Sequence, residues 1–401
     1  MVKDKTSTTA TIDAPGPTAS APDGPQSHRI RCAVCVMEPA ILMIISNGAA
    51  ATSGLAGRRV ARWMYLLSWL TGRMRMEEIQ GIAEALGSKI VATSVLAGGF
   101  SHETCLLTLA DGRVVARFGG TDPVVEAGVM AAARRHVPVP DVLVVMPGGD
   151  ELGRPAMVIE YVDGVVLSRV LARGALGRSD ADELGAEVGR VVAGVAAVEF
   201  DRRGFFVDAD LTVKEEQPWS QQLVEAAQSC MAAVPESRLD GVTRRAWVQL
   251  CEASAPVLES VDDHSRLVHA DINPKNILVS RVGSGWRVEA LLDWEFSYSG
   301  CPYGDAANMV RFGADYPEGF LEGFRAGFAE HQPANLPLVE SWAHTGRVLD
   351  MFALSDLVTR PVGHAVADQA AEQIRLWVRH GVPDRDQLHP AAADASRSGR
   401  P

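Results

Sequence analysis

The 401-residue chain is poor in cysteine, with six at positions 32, 35, 105, 230, 251 and 301 and no dense framework among them. A disulfide scaffold is excluded, and thiols this sparse suit a reducing cytoplasm better than secretion. Cys32 and Cys35 form a C-x-x-C, but no second Cys or His pair accompanies it, so neither a metal nor a redox centre is expected there. Basic charge is also lacking. The net charge of −12 excludes the basic footprint of a nucleic-acid binder, while leaving a cationic small molecule open as a partner. No internal repeat is visible. The one long charge-free run, residues 39–57 (PAILMIISNGAAATSGLAG), is too rich in Gly, Ala, Ser, Thr and Asn to insert well into a bilayer. Residues 1–38 precede it, so it is not placed like a signal peptide. No membrane partner is therefore expected.

What is present is the balance of a globular protein: 47% apolar and 22% charged residues, which rules out disorder over the whole length. The length suits two domains or one large two-lobed one. Residues 1–75 stand apart. Their first 29 residues are rich in Ser, Thr, Pro, Ala and Gly and cannot bury enough surface to offset ordering entropy. The 75 residues hold nine Lys and Arg against four Asp and Glu, a net of +5, so the rest carries −17 of the total −12. A basic leader ahead of an acidic body is expected to lie outside the fold. MEEIQGIAEAL then opens an amphipathic helix directly, which marks Met74 and Met76 as candidate translation starts.

From residue 89 the pattern is regular. Residues 89–96 and 104–110 read as strands flanking a glycine turn, Asp111-Gly112 as a hairpin, and Arg113–Phe118 as a third strand. Asp122-Pro123 supplies an N-cap and a proline for the first helical position of a helix running to about His136. Strands at 141–146 and 155–161 follow, joined through 147–153. This gives a small antiparallel sheet of about five strands carrying one helix. Residues 165–260 have helical spacing and little strand signal, residues 277–292 form a hairpin with a Gly283–Gly285 turn, and helical pattern resumes to about residue 380. The fold class is therefore α+β. It divides into a leader (1–75), a sheet lobe (76–163), a helical lobe (164–383) and a polar flexible tail (384–401).

The most informative stretch is Leu267–Asp293, LVHADINPKNILVS, a hairpin turn, then VEALLDW. Asp271 and Asn276 stand five residues apart on one short loop, and Asp293 follows the hairpin. A carboxylate and an amide on one loop can serve as base and metal ligand, and a second carboxylate can meet the same cation from the other side. Mg²⁺ prefers oxygen donors and keeps several waters, so two protein ligands plus substrate phosphates suffice. Phosphoryl transfer uses this set.

H-x-D-x-x-x-x-N followed by a hairpin and D-W resembles the catalytic core of the aminoglycoside phosphotransferase family, distant relatives of the protein kinases. The resemblance covers residues 78–360. It implies a protein-kinase-like two-lobed fold with ATP between the lobes (GTP is also open), Mg²⁺, and transfer of the γ-phosphoryl group to a substrate hydroxyl. By position it implies Asp271 as base, Asn276 and Asp293 as metal ligands, and His269 and Asp305 as support for the loop. Gly98, Gly99, Phe100, Ser101 and His102 would form the phosphate-covering loop. Arg117 takes the place of the lysine that holds the α/β-phosphates, with Glu126 as its partner, and MVIEYV, including Glu160 and Val162, resembles the adenine-binding hinge. The chain departs from the family at Cys301, at Asn308 and, more consequentially, at Arg117, because arginine is bulkier than lysine and not equivalent to it.

Family substrates are small hydroxyl compounds, among them aminoglycoside and peptide antibiotics, macrolides, choline, homoserine and sugars. Glu295, Asp305, Asp315, Glu318 and Glu322 are candidates for an acidic rim that would focus a cationic antibiotic towards Asp271. Trp294 is read as core packing. A metabolite kinase, and a catalytically weak nucleotide-binding relative favoured only by Arg117, are the alternatives. Monomer and dimer are both compatible with the sequence.

Overall fold

The computed structural model describes residues 76–96, 102–148, 154–172, 174, 176–336 and 338–383, all within one compact unit. The leader 1–75 with its C-x-x-C and apolar run, Gly98–Ser101, the hairpin tip 149–153 and the tail 384–401 lie outside the described residues.

Helix α1 (Met76–Leu86) is followed by β1 (Ile90–Leu96), β2 (His102–Leu109) and β3 (Arg113–Gly119). Next come α2 (Pro123–Ala133), β4 (Val142–Met146) and β5 (Ala156–Glu160). The five strands form an antiparallel sheet in the order β1-β2-β3-β5-β4. Alternation along β2 and β3 turns Cys105, Leu107, Val114, Ala116 and Phe118 inward, where Ile82 of α1 joins them in a separate apolar cluster. Asp122 caps α2 as its sequence signals: the side chain accepts a hydrogen bond from Val124 N–H at 2.9 Å, and Pro123 follows. The helix ends at Ala133, earlier than periodicity indicates, because Val137 precedes a proline and is pushed out of the helical region.

The second lobe begins with β6 (Val165–Val166), α3 (Leu167–Ala172) and α4 (Arg178–Val195). It continues with β7 (Gly204–Phe206), β8 (Val213–Glu215), α5 (Trp219–Ala233) and α6 (Gly241–Ser254). Then come β9 (Arg266–Val268), β10 (Ile277–Val282), β11 (Gly285–Leu291) and β12 (Tyr298–Gly300), and finally α7 (Tyr303–Val310), α8 (Phe320–Glu330), α9 (Trp342–Leu357) and α10 (Ala365–His380). Helices α4 and α8 cross at backbone contact. A Cβ at Gly189 would lie 2.1 Å from the Phe324 carbonyl oxygen, and one at Gly323 2.0 Å from that of Asp182.

The segments read as wholly helical also contain β6, β7, β8 and β12. These pair in a three-stranded sheet (β11-β10-β6) and a four-stranded one (β8-β7-β12-β9). The four-stranded sheet sets β9 beside β12, with Val268 opposite Tyr298, and so fixes where the loop after Val268 emerges. Cys105, Cys230, Cys251 and Cys301 are buried. No helix among the described residues is long and apolar enough to cross a membrane.

Candidate active site

The loop after β9 is held by the first turn of α7. Asp305, buried there, accepts hydrogen bonds from the backbone N–H groups of His269 and Ala270, each at 2.8 Å. Burial raises its carboxyl pKa to about 7, opposed by those two bonds. Ala270 and Asp293 adopt φ of 70° and 68°, a left-handed conformation that costs a non-glycine residue about 1–3 kcal/mol. Both occur where the chain leaves a strand for the site, and Asp305 and the bonds below hold them there.

His269 ties the loop to the end of the β10–β11 hairpin. Its Nε2 lies 3.0 Å from the Leu292 carbonyl and its Nδ1 3.3 Å from the Asp271 N–H. A carbonyl only accepts and an amide N–H only donates, so the ring carries its proton on Nε2. Burial lowers its pKa to about 4, which keeps it neutral. Trp294 packs on the ring with centroids 4.4 Å apart and donates from Nε1 to Leu291 O at 3.0 Å, in keeping with its reading as core.

Asp271 is gripped by two amides. Asn273 Nδ2 donates to Oδ1 at 3.0 Å and Asn276 Nδ2 to Oδ2 at 2.8 Å, and both also donate to the Asp271 carbonyl. With its amide nitrogen engaged, Asn276 has its side-chain oxygen left to offer a cation. Burial first, and then the charge of Asp293, raise the Asp271 pKa to about 6; Arg311 and the two amides oppose the rise. Arg311 is itself held by a bidentate pair with Asp350, which also accepts from Asn308 Nδ2 at 2.9 Å.

Arg117 stands on the face of β3 opposite Ala116 and Phe118 and joins the lobes. Its Nη1 donates to Glu126 of α2 and its Nη2 to Asp293. Glu126 also accepts from the Trp294 N–H at 3.2 Å. Burial opposes the guanidinium charge, but Glu126 and Asp293 outweigh it and raise its pKa. His102, at the start of β2, places Nδ1 3.0 Å from Arg117 Nη2.

The structure thus brings Asp271, Asn276, His269 and Asp305 into one hydrogen-bonded group, and Arg117, Glu126 and Asp293 into another whose Asp293 charge reaches Asp271. Glu295 does not belong to an exposed rim. Its side chain is 1% exposed, 3.6 Å from His102, and accepts from Thr121 N–H at 3.4 Å. Glu318 is exposed and paired with Arg178, and Asp315 and Glu322 are exposed. Glu160, at the end of β5, is exposed, and its side chain accepts from the Asp141 N–H at 3.2 Å; Val162 is half-buried. Sequence reasoning assigned no role to Asn273 or the Arg311–Asp350 pair, and read His102 only as the end of the phosphate-covering loop, whereas the structure sets it at the start of β2 against Arg117. Asn273 had a signal, since an Asn two residues after an Asp on a loop is placed to bond back to it.

The oxygen donors of Asn276 and Asp293 suit a hard cation such as Mg²⁺. His102, Asp293 and Glu295 also carry donor atoms within 4.8 Å of one another, but Arg117 already pairs with the first two.

The sequence pattern of the phosphotransferase enzyme family (APH) matches residues 93–338. No curated protein matches the chain by sequence. Among solved structures, aminoglycoside phosphotransferase APH(4)-Ia superimposes with a TM-score of 0.57 at 16% identity, covering 77% of this chain and 99% of that one. A thermostable mutant of it, in ternary complex with ADP and hygromycin B, gives 0.56 at 16%, covering 76% and 98%. The gentamicin–APH(2'')-IIa complex gives 0.51 at 12%, covering 76% and 96%. At these identities the likeness shows a shared fold, and the family pattern runs from within β1 through the Asp271 loop and the Asp293 turn. The chain has a protein-kinase-like two-lobed fold and belongs to the phosphotransferase enzyme family, as a kinase-type enzyme.

Proposed function

We propose that the protein transfers the γ-phosphoryl group of ATP to a hydroxyl of a small molecule, with Asp271 as the base. The observation that carries this reading is the Asp271 carboxylate, fixed by Asn273 and Asn276 and facing the charge of Asp293. A carboxylate aimed in this way can accept the hydroxyl proton as the oxygen attacks phosphorus. Asn276 and Asp293 would hold Mg²⁺, which when bound neutralises charge on the phosphates. Arg117, fixed by Glu126, would grip the phosphates with its fork, and Glu160–Val162, at the end of β5, would hold the adenine. Residues 98–101 would cover the phosphates. Residues 1–75 stand outside this machinery in our reading.

The first acceptor class to consider is an aminoglycoside or other cationic antibiotic. The acidic body and the exposed Asp315 and Glu322 support it, as does the hygromycin B bound by one structural neighbour. A second class is favoured by a specific observation: Glu295 faces His102 instead of a rim, which takes away one carboxylate that would attract a polycation and suits a neutral metabolite alcohol. The test is NADH-coupled ADP release against a panel of cationic antibiotics and cellular alcohols. Turnover dependent on one of them supports the reading, and ATP use that no alcohol stimulates contradicts it.

A further inference from the structure

We infer that the turn between β7 and β8 is a stop for helix α2, and that Gly128 is the positioning residue through which this stop keeps Glu126 at Arg117. The inference rests on the proposed role of Arg117 at the phosphates. A Cβ at Gly128 would lie 2.3 Å from the Ala209 carbonyl oxygen and 3.1 Å from the carbonyl carbon, so a turn of the helical lobe sits directly on the helix of the sheet lobe. Glycine inside a helix is destabilising relative to alanine, and this close approach is the physical reason for one at mid-helix in α2. Residues two apart on a helix do not share a face. Glu126 meets Arg117 Nη1 and the Trp294 N–H on one side, and Gly128 meets the turn on the other. The helix is held between them.

The turn is itself tied down. Val207 N–H donates to Thr212 O at 3.1 Å and Leu211 N–H to Asp208 O at 3.2 Å. The Asp208 carboxylate accepts from Thr212 N–H at 2.9 Å. Leu211 adopts φ of 59°, a conformation that persists in a non-glycine residue only where the surroundings impose it. Behind the turn, the sheet β8-β7-β12-β9 runs to the Asp271 loop. Lys214, Phe205, Tyr298 and Val268 stand in one row across it, and Val268 is the last residue of β9 before His269. The sheet that aims the Asp271 loop therefore also sets where the Ala209 carbonyl stands. Helix α2 cannot back away from Arg117 without meeting that carbonyl. A methyl group at position 128 forces helix and turn apart by about 1 Å, a misplacement large enough to disable a positioned group.

The test is a double-mutant cycle in the full chain, read by calorimetric titration of Mg²⁺-ATP, by the ATP Michaelis constant and turnover separately, and by Tm. Gly128→Ala should raise the ATP Kd and Michaelis constant about tenfold or more, with turnover at saturating ATP changed less. Packing strain alone would lower Tm and leave the ATP Kd of the folded protein unchanged. A second variant replaces residues 208–211 by Asn-Gly, a two-residue hairpin turn that withdraws the stop without crowding α2. It should also raise the ATP Kd, and it carries the test if Gly128→Ala does not fold. In the Glu126→Ala background each change should cost less than about twofold, because α2 then offers no group to Arg117. Unchanged ATP affinity in either folded variant, or an equal cost with Glu126 absent, overturns the inference while leaving the phosphotransferase reading intact. A wild-type protein that binds no Mg²⁺-ATP overturns both.

Discussion

Replacing Asp271 by asparagine should stabilise the ligand-free protein at alkaline pH. The carboxyl pKa stands at about 6 in the fold against an ordinary 3.8, because burial and Asp293 disfavour its ionised form. A pKa raised on folding adds stability that is fully present below 3.8 and lost as pH rises through 6. At pH 8 the ionised group therefore costs about 3 kcal/mol, from about two pKa units at 1.36 kcal/mol each. At pH 5 linkage reduces the cost to about half of that. Asparagine fills the same volume, but its NH₂ faces one of the two amide donors from Asn273 and Asn276, so about 1 kcal/mol is given back. The net gain is about 2 kcal/mol at pH 8 and well under 1 kcal/mol at pH 5. Urea unfolding in EDTA without nucleotide measures it as a shift in midpoint at constant slope. A variant less stable than wild type at pH 8, or a gain as large at pH 5 as at pH 8, would refute the reasoning.

Asp293→Asn removes a proposed metal-ligand carboxylate and one partner of Arg117. It should weaken Mg²⁺-ATP use and lower turnover together, read by varying Mg²⁺ at fixed ATP. Gly189→Val drives a side chain into the Phe324 carbonyl at the α4–α8 crossing. Overpacking there should cost about 3 kcal/mol, a fall of roughly 6–12 °C in Tm by calorimetry. A chain beginning at Met76 should keep the Tm and activity of the whole, and a large loss of either, or membrane fractionation that depends on residues 39–57, would make the leader part of the machinery.

The sheet lobe was legible in the sequence because its signals are local. The alternation on β2 and β3, the Asp111-Gly112 turn and the Asp122-Pro123 cap each occupy a few adjacent residues, and each has its expected place in the structure. Strands β7, β8 and β12 were not legible. Each is three residues long, and β12 exists because Tyr298 pairs with Phe205 and Val268, far away in the chain. The grouping of Asp271 with Asn276 could be anticipated from their spacing on one loop, and that of His269 and Asp305 with them only from the family resemblance. The direction of Glu295 could not, because it follows Asp293 at positive φ, and a reversal of that kind decides which way the next side chains point. Nor could the contact of Arg117 with the His102 ring, which depends on the β2–β3 register that sets His102 opposite Gly119.

The most direct test of the central claim is the steady-state turnover of Asp271→Asn with an accepted alcohol, measured beside a nucleotide titration of the same protein. Asparagine keeps the shape and one of the two amide contacts but cannot take the hydroxyl proton. General-base catalysis contributes about 10²–10⁴-fold, and a loose transition state with little proton transfer puts the expected loss near the lower end. The account predicts turnover down about a hundredfold with nucleotide affinity preserved, whereas near-wild-type turnover would remove Asp271 from the mechanism and lost nucleotide binding would make its role structural.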